Sequence, residues 1–211
     1  MATVSEIQGV LKLKGGDRFA RQVRSKLDNV KKSFLNLNTA IKGAGFFLFA
    51  KKAIDAANIQ EQAVARLGAA LKSTNNEIGL TVQQLRKMAS GFQKVGIFGD
   101  EVVMQAQAIL LTFTKIGKDI FPEATEIVLD LRAALDQDLK TSAIQLGKAL
   151  NDPIRGMDTM SRSGIQFSIE QKKVIKGLVN TGNLFEAQKL ILKELNTQFG
   201  GMNRQLAETS A

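Results

Sequence analysis

Apolar residues recur every three or four positions along most of this chain, which is the spacing of amphipathic α-helices. Alternation of apolar and polar residues, the strand pattern, is confined to short pieces such as Ile165 to Phe167. The two prolines, Pro122 and Pro153, stand where helices begin or end, and proline-free stretches favour helix. The pattern predicts an all-α protein in which an N-terminal helix precedes a multi-helix bundle with short loops.

The most regular pattern lies in residues 17–41. From Val23 onward the apolar positions are separated by steps of 4, 3, 4, 3 and 4 residues, which is the spacing of a coiled-coil seam. The seam consists of Val23, Leu27, Val30, Phe34, Leu37 and Ile41. This heptad helix predicts self-association. An amphipathic helix that folds back on its own domain explains the spacing equally well.

The outer faces of the same helix are basic. Their cationic residues are Arg18, Arg21, Arg24, Lys26, Lys31 and Lys32. The net charge of the chain is +9, and residues 1–52 hold eleven Lys and Arg against three Asp and Glu. Residues 53–211 hold eighteen against seventeen. The charge thus separates a basic N-terminal arm, residues 1–42, from a nearly neutral helical domain, residues 43–201, and it suits an arm that neutralises phosphates or another acidic surface.

The apolar run from Phe46 to Ala50 follows a break at Gly43 and Gly45. A membrane-spanning helix needs about 20 apolar residues, and this run is far shorter. We therefore expect the run to be buried in the core or against a partner in preference to a membrane.

Capping boxes predict two helix starts, at Thr81 with Gln84 and at Ser168 with Gln171. Thr141 is expected to cap a shorter helix that ends before Pro153. The last two helices of the domain are expected to form a hairpin. Its interface is predicted to comprise Val174, Ile175, Leu178, Leu184, Ala187, Ile191 and Leu195.

No specific chemistry is predicted for two polar stretches. The carboxylates of Glu126, Asp130, Asp136 and Asp138 lack the spacing of a calcium loop, so they are interpreted as a solvated helix face. Residues 202–211 contain few apolar side chains, so they are expected either to fray or to begin a longer helix.

The residue inventory restricts the available chemistry. The chain has no His and no Cys, which excludes zinc sites and Ser-His or Cys-His triads. Gly147-Lys148 is followed by Ala149, where a phosphate-binding loop needs Ser or Thr. With no Tyr or Trp, its aromatic residues are the 12 Phe, which suit core packing. We therefore expect no enzymatic activity, no cofactor, no metal site and no small-molecule substrate.

An ordered series of residues near the end of the chain carries a family resemblance. It comprises Gly147-Lys-Ala-Leu-Asn-Asp-Pro153, Gly156-Met157, Gly164-Ile-Gln-Phe-Ser168, Gln171-Lys172, Ile175, Leu178, Gly182-Asn183, Ala187-Gln188, Ile191-Leu192, Glu194-Leu195 and Phe199-Gly-Gly201. The series resembles the N-terminal helical region of the tape measure proteins of tailed phages and prophages. Weaker similarity extends back to about Gly43. Family members continue through a long helical ruler region, so the chain corresponds to a fragment of such a protein or to a short relative.

The resemblance implies a structural virion protein that occupies the lumen of a siphovirus-like phage tail and helps to determine tail length. It implies homo-oligomerisation, with a trimer favoured, and contacts with the tail tube protein, tail assembly chaperones and other tail proteins. It also implies transient contact with DNA and assembly in the host cytoplasm. The alternative from the residues alone is a nucleic-acid or acidic-surface binding protein that acts through the basic arm.

The heptad seam generates a prediction about association. Val30→Asp or Phe34→Asp is expected to abolish self-association, because a carboxylate cannot be buried in an apolar helix interface without a large cost in free energy. Sedimentation of residues 1–211, of each variant and of residues 43–211 measures the effect. Sedimentation of both the parent chain and residues 43–211 as monomers would remove the coiled-coil interpretation.

Overall fold

The computed structural model describes residues 44–209, with side chains from residue 50 onward. The chain separates into two compact units, Met1–Lys52 and Ala53–Ala211. The predicted heptad helix, residues 17–41, lies outside the described residues, as does the basic arm, residues 1–42. Both therefore stay predictions.

Every regular element in residues 44–209 is an α-helix, which confirms the predicted all-α class. The helices are α1 (Ala44–Ser73), α2 (Val82–Gln93), α3 (Asp100–Leu110), α4 (Phe121–Leu135), α5 (Leu139–Asn151), α6 (Pro153–Arg162), α7 (Ile169–Asn180), α8 (Leu184–Phe199) and α9 (Met202–Thr209). They pack as a bundle with short connections.

Local capping chemistry places several helix ends where the sequence predicts them. Thr81 and Gln84 form a reciprocal capping box at the start of α2, and Ser168 and Gln171 form another at the start of α7. In each box the hydroxyl oxygen accepts the backbone N–H of the glutamine, whose side-chain oxygen accepts the backbone N–H of the cap residue. Both capping boxes are confirmed.

The start of α5 differs from the prediction. The helix begins at Leu139, and Asp138 is its N-cap, with a carboxylate that accepts the backbone N–H of Thr141 at 3.1 Å. The sequence pattern predicts Thr141 as the cap, but its N–H is the group being capped. An aspartate also complements the positive end of the helix dipole, so it is the better cap at this position.

Helix α5 occupies the centre of the described bundle, because it packs against α3, α4, α6 and α8. Its inward face carries Ala143, Leu146, Ala149 and Leu150, all fully buried. The largest buried side chains among the described residues complete this core. They are Phe121, Leu67, Leu85, Met104, Leu110, Ile120, Ile127, Leu129, Leu131, Leu146, Leu150 and Met160.

Helices α5 and α6 approach each other at the level of their backbones. A Cβ atom placed on Gly156 of α6 would lie 2.1 Å from the Cα atom of Ala149 on α5. Real Cβ atoms do not come this close to backbone, so this position accepts only glycine at the present helix separation. Asp152 makes the sharp junction possible, because its side chain caps α6 immediately after α5 ends.

Helices α7 and α8 form the predicted hairpin, but not every residue predicted for its interface is buried: Leu178 and Leu184 are half-buried, and Val174 is exposed. Ile175, Ala187, Ile191 and Leu195 are buried as predicted. Val174 is 52% exposed, because Ile175 takes the inward position and its neighbour is turned about 100° away around the helix.

The close approach at Gly156 generates a stability prediction. Gly156→Ala is expected to lower the free energy of unfolding by about 1 to 3 kcal/mol, because the new methyl group must push α6 away from α5. Gly177→Ala is the matched control. It replaces an exposed helical glycine of α7 where an added Cβ atom would have no neighbouring atom within 4 Å, so the change should raise stability by about 0.5 to 1 kcal/mol. Urea unfolding of both variants measures the difference, and equal stability of Gly156→Ala and the parent would contradict the backbone contact.

Candidate functional site

The residues that the sequence marks for function fall into two groups. The seam and basic-arm residues lie outside the described residues, so the structure neither brings them together nor separates them. They are Val23, Leu27, Val30, Phe34, Leu37, Ile41, Arg18, Arg21, Arg24, Lys26, Lys31 and Lys32. The second group, Gly147–Gly201, is described in full.

The first part of this stretch is shaped for close packing. A Cβ atom on Gly147 would lie 2.2 Å from the ring of Phe113, so the missing side chain leaves room for that ring against α5. Gly156 admits α5 in the same way. After α6, Gly164 has a φ of +87°, a conformation that glycine adopts readily, and it turns the chain into the extended link in which Ile165 and Phe167 are buried.

Gln188 joins three parts of the chain. Its side chain is 2% exposed, and its Nε2 donates to the carbonyl oxygens of Lys115 at 2.8 Å and Leu150 at 2.9 Å. The Leu150 carbonyl lies in the last turn of α5, where carbonyl groups lack partners within the helix. One amide group on α8 therefore satisfies the end of α5 and the loop between α3 and α4.

The outer side of the α7–α8 hairpin is held by amide groups. Gln171 donates to the Glu194 carboxylate, and Gln198 donates to the backbone carbonyl of Gln166. The Gln198 side chain also donates to Glu194 at 2.8 Å. Glu194 and the glutamines around it thus stabilise the hairpin and the link before it.

A small pocket lies beside this stretch. Its volume is about 200 Å³, and it is lined by Phe113, Lys148, Asn151, Asp152, Arg155, Gly156 and Thr159. Drug-sized ligands and cofactors occupy pockets of about 300 to 1,000 Å³, so this space is too small to enclose one. Asp152 is already engaged as the cap of α6 and as the ion-pair partner of Arg155 at 3.7 Å.

Asp130 does not belong to a solvated acidic face, and that interpretation is wrong for this residue. It is 2% exposed, and its carboxylate accepts the backbone N–H groups of Gly201 at 3.0 Å and Asn203 at 2.9 Å. Burial raises the pKa of the Asp130 carboxyl, and the two N–H donors and Arg204 offset this only in part. A carboxylate on α4 therefore holds the start of α9.

Glu126 lies one turn before Asp130 on α4 and forms an ion pair with Arg204 at 3.5 Å. Partial burial is the main cause that raises the pKa of Glu126, followed by the charge of Asp130. The charge of Arg204 acts in the opposite direction, and Glu123 adds a smaller increase. This ion pair is largely exposed, so it contributes about 1 kcal/mol or less.

Apolar side chains reach the surface at several places in the described residues, three of them outside the α7–α8 hairpin: Leu135 at the end of α4, the link between α2 and α3, and α1. The link between α2 and α3 exposes Val95 and Ile97, and the guanidinium of Arg132 lies 4.9 Å from the centre of the neighbouring Phe98 ring. In α1, the described side chains before Ala63 are all exposed or half-buried, and Ile59 is 49% exposed.

Among residues 44–209, no helix combines the length and apolar content that a membrane span requires. The same range contains no group of three or more His, Cys, Asp or Glu side chains arranged to hold a metal ion. Comparison of the chain with protein-family models, with curated proteins and with solved structures finds no match. The resemblance to tape measure proteins therefore stays a prediction from the residues of Gly147–Gly201.

Sequence reasoning missed the structural roles of Asp130, Gln188 and Asn203. Gln188 follows the buried Ala187 within the series that carries the resemblance, but a glutamine in a helix is usually exposed. Asp130 lies three residues after the core residue Ile127, which is a spacing that places two side chains on neighbouring parts of one helix face. The Gly200-Gly201 pair was a further signal in the sequence, because it indicates that the helix before it ends there.

The raised pKa values of Asp130 and Glu126 predict how stability changes with pH. The folded protein binds more protons than the unfolded chain between the ordinary pKa values, 3.8 and 4.5, and the raised ones. The contribution of these carboxyls to the free energy of unfolding is therefore present below this window and is lost as pH rises through it. Asp130→Asn with Glu126→Gln should remove that part of the slope.

Urea unfolding of the parent and the double variant at a series of pH values from about 3.5 upward measures the two slopes. The comparison uses the difference between the two proteins, so contributions from their other carboxyls cancel. Equal slopes, with stability shifted by the same amount at every pH, would show that neither carboxyl has a raised pKa.

Proposed function

We propose that this chain is the N-terminal part of a tail tape measure protein and that it acts as a structural component in the assembly of a phage tail. The observation that carries the proposal is the role of the residues in Gly147–Gly201. Gly147, Gly156, Gly164, Ser168 and Gln188 serve close packing, turns, helix capping or core burial. Together such residues specify one helical unit. We propose that this helical unit acts through its shape and through its contacts with other proteins.

Three contacts made by residues of this series support the proposal. Gly147 makes room for the Phe113 ring, Gly156 admits the backbone of α5, and Gln188 joins α8 to two carbonyl groups elsewhere in the chain. Each depends on a residue type in the series and on a partner brought close by the fold. A helical unit of fixed shape needs such residues, and this supports the proposal that the series marks one structural unit.

The proposed partners are protein neighbours. We propose that copies of the chain associate, as a trimer by resemblance, and that the assembly contacts the tail tube protein, tail assembly chaperones and other tail proteins inside the virion. Val95, Ile97 and Ile59 are exposed and available for such contacts. The proposal gives the chain no enzymatic step.

A second candidate function is binding of nucleic acid or another acidic surface by the basic arm. The observation that favours it is the concentration of charge in residues 1–52, with eleven cationic residues against three anionic ones. Transient contact with DNA inside a tail would use the same charge. DNA binding by residues 1–211 but not by residues 43–211, weakening steeply with salt, would favour this second candidate.

The proposal predicts the phenotype of the encoding phage or prophage. In-frame deletion of residues 53–199 is expected to leave particles without tails, because the assembly scaffold is lost. An in-frame insert of helix-forming residues after residue 211 is expected to lengthen tails by about 1.5 Å per residue, the rise of an α-helix. Electron microscopy of purified particles measures both effects.

Synonymous recoding of codons 53–199 is the matched control for the deletion, because it changes the gene without changing the protein. Mass spectrometry of purified tails should detect peptides from residues 53–209. Tails of normal length and number in the deletion strain would rule out a structural role in tail assembly.

A further inference from the structure

We propose that α9 is a releasable latch, held against α4 by Asp130 and able to swing away and continue α8 as a single helix. In the structure the helix is interrupted between Phe199 and Met202, and α9 packs against α4. The proposal concerns a conformational device in the residues themselves, and it holds whatever the function of the chain.

Polar contacts hold α9 in place. The Asp130 carboxylate accepts the N–H groups of Gly201 and Asn203, at 3.0 and 2.9 Å. The Asn203 side chain then accepts the backbone N–H of Ile97 at 3.0 Å. Gly96 leaves space for this asparagine, because a Cβ atom there would lie 2.1 Å from Asn203 Nδ2. Asn203 is thus bound to two separate parts of the bundle.

The apolar side chains of α9 are less buried than those of α8. The apolar side chains of this helix, Met202, Leu206 and Ala207, are only half-buried, and Asn203 is its single buried residue. By contrast, α8 buries Ala187, Gln188, Ile191, Leu192 and Leu195. Segments with few buried apolar contacts open at lower free energy than the core, so α9 can detach while α8 stays packed.

The Gly200-Gly201 pair supplies the hinge. Gly201 has a φ of +80°, which a residue with a side chain adopts only with strain, and Gly200 has an extended ψ of 135°. These two residues alone separate α8 from α9. If both took helical angles, residues 184–209 would form one helix about 39 Å long at 1.5 Å per residue.

The apolar pattern continues through the hinge in the register of such a helix. Leu195, Phe199, Met202 and Leu206 are separated by steps of 4, 3 and 4 residues. In a continuous helix these four side chains would lie on one face, within about 60° of one another. In the docked state the turn interrupts this stripe. The sequence therefore fits two arrangements, and Asp130 selects the folded-back one.

Asp130→Ala in the full chain tests the latch. The expected result is at least about tenfold faster hydrogen exchange of the Ile97 amide, whose acceptor is the Asn203 side chain, with exchange of Ile191 and Leu195 unchanged, because only α9 detaches. Asp158→Ala, which removes an exposed carboxylate of α6, is the matched control and should leave every rate unchanged. Unchanged protection of Ile97 in Asp130→Ala would overturn the proposal, and so would equal loss of protection throughout α4 to α9.

A second variant tests the hinge without touching the core. Gly200→Ala with Gly201→Ala favours helical angles at both positions and should also release α9. The chain has no native cysteine, so Glu123→Cys and Glu208→Cys allow a specific pair of spin labels on α4 and α9. We expect a longer inter-label distance in the double-alanine variant and in Asp130→Ala than in the labelled parent. The parental distance in both variants would show that α9 is a fixed part of the bundle.

Discussion

The contact between the backbones of α5 and α6 is the constraint on which the rest of the described bundle depends. Gly156 brings the axis of α6 against Ala149, and this close approach follows directly from the junction at Asp152 and Pro153. Because α5 also packs against α3, α4 and α8, a displacement of α6 from this position would disturb the packing of these three helices against α5. Interiors packed at crystal-like density absorb such displacements poorly.

Buried polar groups add specificity to this apolar core. Asp130 and Gln188 each use their side chains on backbone groups that lie far away in sequence, so both fix how helices are placed relative to one another. Gln107 is different. It is fully buried on α3, and its Oε1 and Nε2 have no hydrogen-bond partner among the described residues. An unsatisfied buried polar group costs about 1 to 3 kcal/mol, and nothing in the structure explains this one.

The sequence predicted the helical class and many helix ends because these depend on neighbours along the chain. The capping boxes at Thr81 and Ser168 are such cases, since each is complete within four residues. The start of α5 was misplaced because Asp138 and Thr141 offer competing caps, and the geometry at the helix end decides between them. The predicted burial of Val174 was wrong because the helical period alone locates the buried face of a helix only to within about one residue.

The candidate site was less predictable than the fold. The packing series Gly147–Gly201 could be identified from sequence, but the partners of its residues could not, because Phe113, Lys115 and Asp130 come from other helices and loops. Nothing local marked Asp130 as the group that holds α9. The seam and the basic arm consist of residues before Ala44. Both are therefore predicted from the sequence pattern alone.

The hydrogen bonds of Gln188 have a mechanical consequence. The Lys115 and Leu150 carbonyls are both bound by one nitrogen atom, so sliding α8 along its own axis strains the two bonds together. A pulling force applied through α8 would load them in parallel, and the helix would resist shear up to a single rupture event. Substituting this one side chain would break both bonds at once, and α8 would then be anchored by its apolar face and by the hydrogen bonds of Glu194 and Gln198.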